Sequence, residues 1–208
     1  MQELDTTKIP LLTAIIHNNI ETVNRLLDAG VNVNIVDENG NTPLLHACKI
    51  GNKQIIQCLL DKNANVNIIN KDGLTPLMIS SISNDKTIIQ ALLDKGAHIN
   101  ILDENGNTLL MKAIINGDKE IVQALLDKGA NVNVFNKDNL TPLIIACMCN
   151  DKNIVQSVLD KGAQVNVIDK DGNTPLLIAY IHDNKEIIQA LLDKGACSTP
   201  LGGRTIFS

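Results

Sequence analysis

At 208 residues, with 44% apolar and 20% charged side chains, the chain has the composition of a folded protein long enough to bury a core; aromatic residues make up only 1% and Trp is absent, so that core must be aliphatic. A formal charge of -5 and a pI near 5.3, with no Lys/Arg run, argue against neutralising a phosphate backbone and so against nucleic acid as a partner. The five cysteines (Cys48, Cys58, Cys147, Cys149, Cys197) are odd in number and irregular in spacing, which argues against a disulfide framework, and neither a signal-type apolar region near the N-terminus nor a run of eighteen apolar residues is present.

In chain order, the first step that sets a register is Ile9-Pro10-Leu11. It returns as Thr42-Pro43-Leu44, and Thr recurs at Thr75, Thr108, Thr141 and Thr174, each 33 residues beyond the last. A second apolar pattern keeps the same register, from Ile55-Ile56 with Leu59-Leu60 to Ile187-Ile188 with Leu191-Leu192. Six repeats follow, over 4–36, 37–69, 70–102, 103–135, 136–168 and 169–201, forming one domain over 1–201 with 202–208 as a tail.

Repeat 2 shows the local logic. Thr42 is suited to cap a helix by accepting from an early backbone N–H, and Pro43 sits where a missing donor costs nothing. The first helix is expected to run to about Ile50 and stop at Gly51. A second is expected from about Lys53 to Lys62, its aliphatics paired at helical spacing. Residues 63–69 alternate polar and apolar before the turn at Asn70-Lys71-Asp72-Gly73, which reads as an extended, β-hairpin-like finger. Where this pattern needs a left-handed residue and lacks Gly it has Asn18, Asn84, Asn150 and Asp183 between helices, Asn63 after the second helix and Asn139 at a fingertip. Asn and Asp are the residues that best tolerate that conformation.

Gly40-Asn41-Thr42-Pro43-Leu44, Ala47, Leu59-Leu60 and Gly129-Ala130-Asn131-Val132-Asn133 together resemble the ankyrin repeat, and the likeness covers nearly the whole chain. It implies an all-α ankyrin repeat solenoid of helix-turn-helix units. The family's usual His two residues after the Pro is replaced by Leu12, Leu45, Met78, Met111, Ile144 and Leu177, and Leu109 replaces a Pro. Heavy use of Ile, Asn and Lys resembles ankyrin proteins of AT-rich intracellular bacteria and large DNA viruses, which act inside a host cell. A cytoplasmic location, with delivery into a host cell, is the corresponding expectation.

The repeats alternate. Even ones open with Asp37, Asp103 and Asp169 and place Asn41, Asn107 and Asn173 before the Thr; odd ones have Asn70 and Asn136, then Leu74 and Leu140. This reads as a 66-residue duplicating unit, a matter of ancestry without chemistry. In repeat 1, Thr22 and Arg25 occupy otherwise apolar slots, as a polar cap would. Repeat 6 keeps Ile187, Ile188, Ala190 and Leu191, so its last face reads as uncapped and as a route to oligomers.

The ankyrin resemblance implies that ligands meet the finger tips and the exposed ends of the first helices. The candidate partner-binding residues in those slots are Lys49, Ile50, Ile82, Ile115, Met148, Cys149 and Ile181 on helices, Phe135 at a finger base, Leu74 and Leu140 on fingers, and Glu38, Asp72, Glu104 and Asp138 at tips. An apolar trough with a charged rim suits a peptide or an amphipathic helix of a partner protein. The competing expectation is that the aliphatics merely fill space between repeats. The Asp-Lys pairs from Asp61-Lys62 to Asp193-Lys194 read as a solvated ladder, and Asn34, Asn67, Asn100, Asn133 and Asn166 as residues satisfying loop backbone.

No cofactor is implied. Residues 37–41 and 169–173 have Gly fourth rather than sixth, with Cys48 and Tyr180 where a calcium loop needs Glu. Cys147-Met148-Cys149 has one spacer, and the four histidines lie in different slots, so a metal site is not expected. Neither a phosphate-cradling glycine loop nor a nucleophile elbow occurs, and Cys149 has no acid or base partner. The expectation is a non-catalytic protein-interaction module, with an adaptor docking through its C-terminal repeat as the alternative.

Overall fold

The computed structural model describes residues 10–83 and 85–197; of the helical Ile82 and Ser83 it gives only the backbone. Among the described residues there are twelve helices and no strand. The chain divides into two compact units, Met1–His98 and Ile99–Ser208.

The first unit holds three helical hairpins, α1 (Pro10–Ile16) with α2 (Ile20–Asp28), α3 (Pro43–Ile50) with α4 (Lys53–Asp61), and α5 (Pro76–Ser83) with α6 (Lys86–Asp94). In α3, Thr42 has extended backbone and its Oγ1 accepts from Leu45 N at 3.2 Å, while Pro43 fills the first turn. Gly51, at φ 78°, ends the helix, and Asn52 caps α4 by accepting from Ile55 N at 3.0 Å. The apolar faces, including Leu44, Leu45, Ala47, Ile55, Ile56, Leu59 and Leu60, are buried. First helices pack on first helices (α1 on α3, α3 on α5) and second on second (α2 on α4, α4 on α6). Each buried Leu or Ile contributes about 1.5–3 kcal/mol of hydrophobic stabilisation before entropy is subtracted.

The second unit repeats the plan with α7 (Leu109–Ile115), α8 (Lys119–Asp127), α9 (Pro142–Met148), α10 (Lys152–Asp160), α11 (Pro175–Ile181) and α12 (Lys185–Asp193). Thr108 caps α7 through Met111 N at 3.2 Å although Leu109 stands where the other first helices have Pro. The hydroxyl therefore suffices to start the helix.

Asn18, Asn63, Asn139, Asn150 and Asp183 all have φ between 49° and 59°, the left-handed conformation expected of them, while Asn84 lies outside the described residues. The fingers differ in kind from a β-hairpin, being built of consecutive turns. Their recurring Asn side chains take up backbone groups that a strand ladder would otherwise pair. Asn67 accepts from His98 N at 2.8 Å and donates to Gly96 O, Asn133 does the same with Gln164 N and Gly162 O, and Asn166 with Cys197 N and Gly195 O. Each such Asn ties its own finger to the next repeat.

Candidate interaction surface

The fingertips are closed by their first residue. Asp37 Oδ1 accepts from the backbone N–H of Asn39 and Asn41, and Asn70 Oδ1 from those of Asp72 and Leu74. Burial acts to raise the Asp37 pKa, but bonds from Asn41, from His46 Nε2 at 2.9 Å and from Asn39 outweigh it and hold the carboxyl below its usual range. Asp103 is held low in the same way against burial, with Lys112 Nζ at 2.9 Å in the slot of His46. Asp169 has Ile178 in that slot and is held low by Asn173 and the turn N–H groups.

The even-odd alternation, which the sequence presents as ancestry alone, carries chemistry. Asn70 Nδ2 donates to Asn41 Oδ1 at 2.8 Å, and Asn136 Nδ2 to Asn107 Oδ1 at 2.8 Å. Beside them, Lys71 N donates to Asn39 O at 3.0 Å and Lys137 N to Asn105 O at 2.9 Å. An Asp at the odd opening slot would offer no donor to the preceding finger. These bridges are hidden in the sequence because the partners lie 29 residues apart and only the stacking brings them together.

In the first unit these fingers and α3 enclose a cleft of about 270 Å³, lined by Asn39, Asn41, Leu45, His46, Lys49, Asn70, Asp72, Leu74 and Ile79. Of the sequence candidates it brings together Lys49, Asp72 and Leu74. Glu38 and Ile50 are exposed outside its lining, and the side chain of Ile82 lies outside the described residues. His46, Asn41 and Asn70 are lining residues that the sequence reading did not single out; the legible signal was a basic residue, His46 or Lys112, nine positions after an opening Asp.

In the second unit the helix-end aliphatics stand in solvent rather than between repeats: Ile115 is 57% exposed, Met148 49% and Ile181 70%. Phe135 and Cys149 are exposed, Leu140 is half-buried, and Glu104 and Asp138 are exposed tips. Asp138 is engaged within the chain, where Lys170 Nζ meets it at 2.7 Å and is itself held above the usual lysine range by that contact. Burial pushes the Cys48 thiol up to about 11 and that of Cys147 up to about 12. Burial and the neighbouring Asp151 carboxylate also raise that of Cys149.

Stacked helical hairpins joined by turn-built fingers define a repeat protein of the helix-turn-helix kind. The chain belongs to the ankyrin-repeat family: a model of ankyrin repeats matches three times, over residues 11–103, 79–169 and 110–200. An ankyrin repeat domain from Acinetobacter baumannii AYE is 30% identical, with a TM-score of 0.82 over 91% of this chain and 100% of that one. The human ASB11 ankyrin repeat domain is 30% identical, with a TM-score of 0.67 over 95% of this chain and 87% of that one. A chain from the structure of the Bdellovibrio bacteriovorus predatory endopeptidase Bd0816 in complex with immunity protein Bd3460 is 27% identical, with a TM-score of 0.70 over 89% and 98%. No curated protein sequence matches the chain significantly. Ankyrin repeats are generally protein-interaction modules and typically non-catalytic. No helix of the described residues is long and apolar enough to cross a membrane.

Proposed function

We propose that this protein is a non-catalytic, cytoplasmic interaction module that binds a peptide or an amphipathic helix of a partner protein through its first-helix ends and fingers. The supporting observation is the exposure of Ile115, Met148 and Ile181, whose immediate neighbours Ile114 and Cys147 are fully buried. Aliphatic side chains held in water on an otherwise well-packed frame gain free energy when a partner covers them. Within the first unit, the cleft around Lys49, Asp72 and Leu74 offers polar groups of its own to a bound segment. The structure of the Bdellovibrio complex, which includes an immunity protein, makes a protein partner a natural reading here.

Affinity capture from a host-type lysate with wild type, Ile115→Glu and Met148→Glu tests this. Both variants are expected to lose the captured partner by more than about tenfold, since burying an unpaired carboxylate at an interface opposes binding by several kcal/mol. Undiminished capture by both variants would remove these helix ends from consideration.

A second reading, an adaptor docking through its last repeat, is favoured by Leu192. It is 40% exposed, whereas Leu159, one repeat earlier, is 3% exposed.

A further inference from the structure

Within each unit, the contact of an even repeat with the odd repeat after it follows one polar code. From repeat 2 to 3, Asn70 Nδ2 reaches Asn41 Oδ1, Lys71 N reaches Asn39 O, and Lys53 Nζ meets Asp85 Oδ2 at 3.0 Å. From repeat 4 to 5, Asn136 reaches Asn107, Lys137 N reaches Asn105 O, and Lys119 Nζ meets Asp151 Oδ2 at 2.9 Å. The even finger is also tight against the odd one, because a Cβ on Gly40 or Gly106 would lie 3.4 or 3.2 Å from its backbone.

Repeat 6 is even, and it carries the same outgoing groups 66 residues further on: Asn173, the Asp171 carbonyl, Lys185 and Gly172. Among the described residues no donor reaches Asn173 Oδ1, no carboxylate reaches Lys185, and a Cβ on Gly172 would meet nothing within 4 Å. Its apolar groups match too. Leu177 and Ile188 are half-buried where Leu45, Met111, Ile56 and Val122 are buried.

We infer that this face is a docking surface for a helical hairpin of the odd type, one that opens its finger with Asn and caps its second helix with Asp. The inference rests on the second reading above and names the chemistry of that partner. The Asn amide donates to Asn173 Oδ1, the next backbone N–H to Asp171 O, and the capping carboxylate pairs with Lys185, while the hairpin's aliphatic side covers Leu177, Ile188 and Leu192. A second copy stacked head to tail does not supply this code, since repeat 1 has Leu4 at the finger-opening slot and Asn19 at the capping slot. The occupant proposed is an odd-type hairpin presented by a partner protein.

The test compares the chain with two extended forms, in which residues 202–208 are replaced by a copy of residues 136–168 or of residues 37–69, each keeping the 33-residue register. The first copy brings Asn136 and Asp151 to the face, the second Asp37 and Asn52. The odd copy is expected to raise the thermal midpoint at least about 2–4 °C above the even copy. Lys185→Ala is expected to shrink that difference without moving the midpoint of the unextended chain; Asn173→Ala, which also removes the bond from Asn173 Nδ2 to Asp169 Oδ2, is expected to shrink it while lowering the midpoints of all three forms. Equal midpoints for the two copies, or indifference to both substitutions, would overturn the partner type. The second reading is tested separately by Leu192→Glu in the capture experiment. Retention of every captured protein would sink that reading, and this inference with it, whatever the copies do.

Discussion

Gly106 and Gly73 show how much one residue's surroundings decide. Both are at positive φ, but a Cβ on Gly106 would lie 3.2 Å from Asn136 Cα and Lys137 N, whereas one on Gly73 would meet nothing within 4 Å. The odd repeats tolerate this replacement already, with Asn139 in the slot of Gly73. Gly73→Asn is accordingly expected to destabilise by no more than about 1 kcal/mol, and Gly106→Asn by about 2–3 kcal/mol, as left-handed strain and a backbone clash combine; urea unfolding midpoints check the difference. Thiol chemistry gives a second check at this scale. Cys149 and Cys197 are exposed and are expected to react with a thiol reagent in the folded protein, Cys58 more slowly, and Cys48 and Cys147 only on unfolding.

For the helices, the boundaries were legible in the sequence where a local chemical device sets them. Thr42, Thr108, Thr141 and Thr174 cap first helices, and Gly51 ends α3 where the sequence expects it. Thr141→Ala is expected to cost about 1 kcal/mol, read from the chemical denaturation midpoint, because the Ile144 N–H at 3.2 Å from Thr141 Oγ1 loses its acceptor near the buried start of α9. The fingers were less legible. Alternating Asn and aliphatic residues over 63–69 imitate a strand, yet the Asn side chains bond to backbone and leave turns instead. The Asn70–Asn41 bridge and the cleft beside it were illegible for another reason, since each needs two repeats in stacked register before its residues meet. The exposed helix ends stood between these cases. Their slots were readable from the period, but whether Ile115 faced a neighbour or water depended on how closely the next repeat approached.

For the molecule as a whole, stability is a sum over similar hairpins and the interfaces between neighbours. The acid limb of that stability follows from its carboxylates. Asp37, Asp85, Asp103, Asp151 and Asp169 are all held below the ordinary value of 3.8, burial being outweighed by hydrogen bonds and, for four of them, by a basic side chain. Folding therefore favours their ionised form. The stability they contribute is complete above about pH 4 and is lost as pH falls through their lower folded values, so the thermal midpoint is expected to drop steeply below about pH 4. A midpoint flat to pH 2.5 would contradict those bonds. The functional account depends on a different property, that the exposed aliphatic ends of α7, α9 and α11 are not needed for folding. The most direct measurement is the thermal midpoint of the triple variant Ile115→Lys, Met148→Lys, Ile181→Lys beside that of Ile114→Lys. The account predicts a triple variant melting cooperatively within about 2–4 °C of wild type, and an Ile114 variant that loses its cooperative transition because a charge enters the core. A triple variant that collapses as Ile114→Lys does would show that these side chains are structural, and the proposed binding surface would not exist.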